Sequence, residues 1–272
     1  MASSIPKVAL VTGASTGIGK CCAEHLATLG YRVFGTSRQA QPSSSAVEMI
    51  QLDVDDDNSV SAAIQSVMAK AGGIGVVINN AGWGLMGAIE DTAIEEAKAQ
   101  LETNFFGVFR VCRAVLPIMR QQGGGYIINI SSLGGIVGLP FSGMYSASKF
   151  AIEGYSEALR LETWRFGIRV VLIEPGDFNS NFTAARRFTK GSAANPAYQD
   201  AVERTRIAQE KEERNGPKPD AIARLVERIL NMPNPRVRYS VGMLSQRIVV
   251  PCKRFLPSRL FEWIFSKVMG IQ

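Results

Sequence analysis

Histidine is almost missing from this chain: His25 is the only one in 272 residues. That removes His-based zinc sites and the base that Ser-His-Asp chemistry needs. His25 itself lies in a helical stretch, GKCCAEHLATLG, and reads as structural. Cysteine is sparse too. Cys21, Cys22, Cys112 and Cys252 form no CxxC pair and have no metal-ligand spacing, so buried free thiols in a reducing compartment, and no metal site, are expected. No apolar run reaches the roughly 20 residues of a transmembrane helix. The opening MASSIPKVALVTG runs directly into a strand without the basic and apolar regions of a secretory signal, so a cytoplasmic protein is expected. Most of the chain also lacks a charge excess. The net charge is +6, and residues 236–272 hold seven Lys/Arg against one acid, Glu262, which accounts for all of it. Nothing reads as a nucleic-acid surface.

What is present fits one soluble α/β domain spanning 1–272, with 46% hydrophobic and 20% charged residues. Apolar runs at 7–13, 32–37, 47–54, 75–82, 125–132 and 169–176 read as strands. Helical patterns near 17–29, 57–71, 93–121 and 143–166 separate them. The strands are rich in Val and Ile without clean alternation, as strands covered on both faces are. This order predicts a doubly wound, parallel Rossmann-type sheet with helices on both faces. The polar stretch 177–216 is too long for an ordinary turn and reads as a substrate lid, or as a solvated helical insertion. A helix at 219–231 and a strand near 236–241 follow.

Residues 12–19, TGASTGIG, follow a strand and open a helix. Gly13, Gly17 and Gly19 allow a tight turn and close approach of a pyrophosphate to the helix N-terminus, with Ser15, Thr16 and Ile18 between and beside them. About twenty residues past such a loop, an NAD site carries an acid for the ribose 2′-hydroxyl. Here Ser37 stands instead, followed by Arg38, a guanidinium able to pair with a 2′-phosphate. NADP(H) is therefore the expected cofactor. Asp53 and Val54, at the end of the third strand, fall at the expected adenine edge.

With TGASTGIG, NNAG (79–82), SS (131–132), YSASK (145–149) and PG (175–176), the chain resembles the short-chain dehydrogenase/reductase family over about residues 5–180. The GLPFSGMYSASKFAIEGYSEALRLE region is most similar to its 17β-hydroxysteroid and retinol dehydrogenase branch. The resemblance implies a catalytic tetrad of Asn104, Ser132, Tyr145 and Lys149. It also implies cofactor contacts from Asn80, Ala81, Gly82, Tyr145, Lys149, Pro175, Gly176 and Ser180, and assembly as a homodimer or homotetramer. Tyr145 and Lys149, four apart on a helix, share a face, and an ammonium favours the phenolate of a tyrosine otherwise titrating near 10. Ser131, neighbouring Ser132 on a strand, points elsewhere.

The expected substrate side is apolar: Trp83, Leu85, Met86, Leu133, Ile136, Val137, Leu139, Phe141, Met144, Phe178 and Phe182. That suits a lipophilic ketone, aldehyde or alcohol. No histidine follows residue 25, so the steroid branch's recognition histidine has no counterpart. Two alternatives remain. A catalytically idle NADP(H)-sensing module normally loses the Tyr/Lys pair, which is kept here. The extended epimerases and dehydratases place two residues between the first glycines of the loop, whereas three, Ala14 to Thr16, occur here. Finally, residues 244–272 form a basic, amphipathic extension. Leu260, Phe261, Ile264, Phe265 and Val268 share a face that either meets a membrane surface or packs on the protein's own cleft.

Overall fold

The computed structural model describes residues 5–192 and 195–271. The first half of the chain alternates β1 (Val8–Val11), α1 (Gly17–Thr28), β2 (Arg32–Ser37), β3 (Val47–Gln51), α2 (Asp57–Ala71) and β4 (Val76–Asn79). A short β5 (Leu85–Met86) leads to α3 (Ile94–Leu101), which runs through a π-helical turn, Glu102–Phe106, into α4 (Gly107–Gln122). Then come β6 (Gly125–Ile130), α5 (Gly143–Thr163) and β7 (Ile168–Pro175). The stretch expected as a lid contains α6 (Phe182–Ala185), β8 (Arg187–Phe188) and the long α7 (Pro196–Asn215). The chain continues through α8 (Asp220–Leu230) and β9 (Arg238–Val241) into three short helices, α9 (Leu244–Arg247), α10 (Val249–Phe255) and α11 (Ser258–Val268).

Among the described residues, seven strands form one parallel sheet in the order β3-β2-β1-β4-β6-β7-β9. Successive side chains supply opposite faces. Val8 and Leu10 of β1 enter the core beneath α2, α4 and α5, while Ala9 and Val11 enter the core beneath α1 and α8. The helices answer with apolar stripes at i, i+3, i+4 and i+7: Gly19, Cys22, Ala23 and Leu26 on α1, and Val60, Ala63, Ile64 and Val67 on α2. Asp56 caps α2 by accepting from the Asn58 and Ser59 amides, and Gly72, at φ +73°, ends it in a left-handed turn.

Strand order reverses between β1 and β4. In an open α/β sheet the crevice beyond the carboxyl ends of such strands is where a ligand sits. The 93–121 helical expectation becomes two helices joined by the π turn, because the ladder widens there to carry Asn104 toward the β4 end.

Candidate active site

The turn after β1 forms the floor of the crevice. Gly13 and Gly17 adopt positive φ, +63° and +57°, where other residues are strained. A Cβ on Gly19 would lie 2.4 Å from the Gly13 carbonyl oxygen, so only glycine lets α1 start this close to the turn. Thr12 ties the turn to β4: its hydroxyl accepts from the Asn80 and Ala81 amides at 2.9 and 3.0 Å. The Asn80 side chain donates to the carbonyls of Thr12 and Gly13 at 3.0 and 3.1 Å. Thr16 occupies the N-cap of α1 without a side-chain hydrogen bond, so the first-turn amides keep their donors for an anion. Ser15, Ser37 and Arg38 line an open recess of about 480 Å³ with Gln39 and Gln41. A cradle closed to any Cβ, free amides and a guanidinium beside two hydroxyls fit a phosphorylated dinucleotide.

Asp53 and Val54 sit lower. The Asp53 carboxylate accepts from the Asp55 amide at 3.1 Å, and Val54 is buried against Gly107 at the start of α4.

The principal cavity, about 550 Å³, opens at the carboxyl end of the sheet. It gathers Ile18, Asn80, Gly82, Ser132, Tyr145, Lys149, Pro175, Gly176 and Ser180 from five separate segments. Ser132 lies two residues past β6, and its Oγ accepts from the Gly134 amide at 3.0 Å. The same hydroxyl hydrogen-bonds the Tyr145 phenol. Ser131 turns toward Glu153 on α5 instead, as strand alternation requires. Tyr145 and Lys149 lie one turn apart on α5, with Lys149 Nζ 5.7 Å from the Tyr145 ring centre. Lys149 is buried and donates to the Ile130 carbonyl at 2.9 Å.

Burial sets both titrations. It pushes the Tyr145 phenol up to about 12, against the Ser132 hydrogen bond; Asp177 and Glu213 add to the rise and Arg186 opposes it. Burial pulls the Lys149 ammonium down to about 8, with Glu153 acting the other way.

Among the described residues Asn104 makes no direct hydrogen bond to Lys149. Its amide is spent on the Trp83 backbone, accepting from the amide at 3.1 Å and donating to the carbonyl at 3.0 Å, and on Ser148 Oγ at 3.1 Å. Gln100, absent from the sequence reading, works beside it. Its side chain accepts from the Leu85 amide at 2.7 Å and donates to the Trp83 carbonyl at 2.8 Å. Both amides pin the 83–85 segment that walls the cavity. The only sequence signal for Gln100 is a polar residue on the inward stripe of α3.

The apolar expectation needs correction on two counts. Leu85, Leu133, Val137, Leu139, Phe178 and Phe182 line the cavity, and Phe182 packs on Tyr145 with ring centres 5.6 Å apart. Trp83, Met86, Ile136, Phe141 and Met144 do not. Trp83 is buried, donates to Thr103 Oγ1 and stacks under Arg187, while Phe141 packs on Tyr198. The second count is charge: Asp177, Arg186, Lys211, Glu212 and Glu213 also line the cavity. Sequence reading missed them because all five fall in the polar stretch 177–216, where charge reads as solvated surface. His25 is far from all this; it pairs with Glu227 at 2.7 Å and joins α1 to α8.

A parallel sheet whose switch point carries a phosphate-sized glycine turn, with a Tyr/Lys pair and a serine at the same edge, defines a nucleotide-binding oxidoreductase. Residues 7–191 match the family model described as short chain dehydrogenase, and the chain belongs to the short-chain dehydrogenase/reductase family of enzymes. It is 44% identical over 258 residues to a 3-ketodihydrosphingosine reductase of Bacteroides thetaiotaomicron, covering 95% of this chain and 96% of that protein. It is 34% identical to retinol dehydrogenase 8 of Homo sapiens, over 66% of this chain and 61% of that one. A crystal structure of a short-chain dehydrogenase from Streptomyces avermitilis superposes with a TM-score of 0.84 at 33% identity, covering 96% of this chain and 98% of the other. Solved structures of this fold hold NADP in some cases and NAD in others. The fold is thus one that binds a nicotinamide dinucleotide. An idle sensing role loses ground to membership in an enzyme family and to the reductase relative.

Proposed function

We propose that this protein is an NADPH-dependent reductase of a lipophilic ketone, specifically the ketone of a long-chain sphingoid base. The observation that carries the reading is the meeting of Ser132, Tyr145 and Lys149 at one wall of a cavity to which Leu133, Val137, Leu139, Phe178 and Phe182 bring apolar surface. The name of the Bacteroides relative supports the substrate class.

Gly13, Ser15, Thr16, Gly17, Ile18 and Gly19 would hold the pyrophosphate side of the cofactor. Ser37 and Arg38 would take the 2′-phosphate, and Asp53 and Val54 the adenine edge. Asn80, Ala81, Gly82, Pro175, Gly176 and Ser180 would border the nicotinamide half. When bound, NADPH supplies a hydride to the carbonyl carbon.

Tyr145 then donates its phenolic proton to the carbonyl oxygen, so ketone, hydride and proton together give the alcohol. A phenol held near 12 is fully protonated at neutral pH, which suits a proton donor. Ser132 donates to the same oxygen and steadies its developing negative charge. The Lys149 ammonium stabilises the phenolate left behind and supplies its replacement proton. Asn104 acts through the wall it braces, completing the tetrad as a positioning residue. The segment 177–216 closes over the substrate. The apolar residues exposed on the π turn, α4 and α5, among them Phe106, Phe109, Phe150 and Leu161, make those helices the contact face of a homodimer or homotetramer. The extension 244–272 gives peripheral contact with a membrane from the cytoplasmic side.

The test is reduction of 3-ketodihydrosphingosine by the purified protein, followed as loss of NADPH absorbance. Turnover is expected in the wild type, with NADPH preferred over NADH. Tyr145→Phe should lower kcat by about 10²–10⁴-fold while leaving NADPH affinity close to normal. Near-normal turnover in that variant would remove Tyr145 from its role.

A further inference from the structure

The charged residues at the substrate cavity are unusual for a pocket that takes a lipophilic ketone. Burying a carboxylate beside apolar side chains costs stability unless a partner offsets it. Arg186 and Glu213 satisfy that condition: they form an ion pair whose side chains are 5% and 7% exposed. Asp177 does not. The Gln246 side chain grips it, donating to Oδ2 at 2.8 Å and accepting from the Asp177 amide at 2.9 Å. Asp177 is half-buried, and among the described residues its Oδ1, open to the cavity, has no hydrogen-bond partner and no cation lies within ion-pair distance of the carboxylate. Glu212 stands on the far side of Gln246, 3.4 Å from its Nε2.

Two buried donors at the same cavity are also left over. Arg186 gives Nη2 to Glu213, but its Nη1 has no hydrogen-bond partner, a carboxylate oxygen of Glu210 lying 3.9 Å away. Gln209 Nε2 has none either. Buried donors and acceptors are normally satisfied, and exceptions call for an explanation. All three residues line the cavity that holds Tyr145 and Ser132. They are also near the reacting end of it, since Asp177 and Arg186 both act on the Tyr145 phenol through space.

A free carboxylate oxygen and two free N–H donors are the complement of a ligand carrying one cation and one hydroxyl oxygen. We propose that this end of the cavity recognises an amino-alcohol headgroup on the ketone: Asp177 takes the ammonium beside the carbonyl, and Gln209 and Arg186 donate to the hydroxyl oxygen beyond it. This rests on the ketone-reductase reading and assigns the residues that would make it selective. Burial, with Glu213 and Glu212 adding and Arg186 opposing, raises Asp177 to about 7 in the empty cavity. An incoming ammonium relieves the repulsion among these three carboxylates and holds Asp177 ionised. The hydrocarbon tail is left with Leu133, Val137, Leu139 and Phe265.

The experiment compares two medium-chain ketones with NADPH: the 2-amino-1-hydroxy-3-ketone and the same molecule without the amine. A charge-assisted hydrogen bond of ordinary strength predicts that kcat/KM favours the amine by about 10- to 100-fold in the wild type. Asp177→Asn, nearly isosteric, should bring that ratio toward one. Gln209→Leu should reduce the preference for the 1-hydroxy compound over its 1-deoxy analogue. NADPH fluorescence on binding reports whether each variant is folded. If Asp177→Asn does not fold, the wild-type ratio and Gln209→Leu carry the test. Equal turnover of both ketones by the wild type overturns the headgroup site and leaves the reductase reading standing. A ratio unchanged in folded Asp177→Asn overturns the assignment to Asp177. Reduction of neither ketone overturns the reductase reading, and the headgroup site with it.

Discussion

Two side chains carry sharp expectations by themselves. Burial holds the Lys149 ammonium near 8, so it loses its proton as pH rises through that value. In the proposed mechanism, the charge that would stabilise a Tyr145 phenolate is present below about 8 and absent above it. Ketone reduction should therefore fall on the alkaline side with an apparent pKa near 8, read from a kcat/KM profile. Lys149→Arg keeps a charge that does not titrate there, so whatever activity it retains should lack that limb. An unchanged profile in the variant would assign the limb to another group. Arg38 borders the recess beside Ser15 and Ser37, with no acid among the residues lining it. Arg38→Ala should weaken NADPH binding by about tenfold or more and NADH little, measured by fluorescence titration. Equal losses for both cofactors would take Arg38 off the 2′-phosphate.

At the scale of elements, the chemistry depends on pieces brought in from far apart. The segment after β6 supplies Ser132, α5 supplies Tyr145 and Lys149, and the end of β7 with the segment after it supplies Pro175 to Ser180. The π turn between α3 and α4 is the least expected joint. It delivers Asn104 to the backbone of Trp83 and to Ser148, so one buried amide fastens the β4–β5 connection to α5. Asn104→Ala strands buried backbone groups of Trp83. It should lower unfolding free energy by about 1–3 kcal/mol in urea denaturation. A variant as stable as the wild type would mean that Trp83 finds other partners. The 177–216 stretch contains a second joint: Thr183 and Arg186 both hydrogen-bond Glu213, holding the α6 end against α7.

The whole molecule places its C-terminal helices across the cavity mouth. Phe265, Val268 and Met269 line the opening, Lys253 donates to the Ile136 carbonyl, and Arg204 on α7 donates to the Gly270 carbonyl at 3.2 Å. The extension therefore rests on its own subunit's cleft. Its outer side is a different surface. Leu244, Ile248, Phe255, Leu260 and Trp263 are exposed there, interspersed along the chain with Arg247, Arg254, Arg259 and Lys267. Among the described residues no helix is long and apolar enough to cross a membrane. Exposed aromatics set among cations match the chemistry of an anionic bilayer surface, and this one surrounds the entrance a lipid substrate would use. The protein should float with anionic liposomes at low salt, dissociate as salt screens the attraction, and stop binding when cut after Val250. An intact protein that stays unbound at low salt would leave this surface to a protein partner.

Local pattern determined much of this protein. Val- and Ile-rich runs separated by amphipathic helices specify a covered parallel sheet, since a strand buried on both faces has no other stable setting. TGASTGIG marks its own turn, because a positive φ and a 2.4 Å contact admit glycine alone. YSASK marks its own helix face, because a spacing of four is one turn. Charge in the polar half was not legible in that way. Glu213 reads as one acid among many in RTRIAQEKEERNG, and Asp177 as the residue after a Pro-Gly. Only folding α7 back over the end of β7 puts Asp177, Arg186, Glu212 and Glu213 around one cavity. The two titrations follow the same rule: a tyrosine at about 12 and a lysine at about 8 are properties of burial, and burial is decided by what the rest of the chain packs around them.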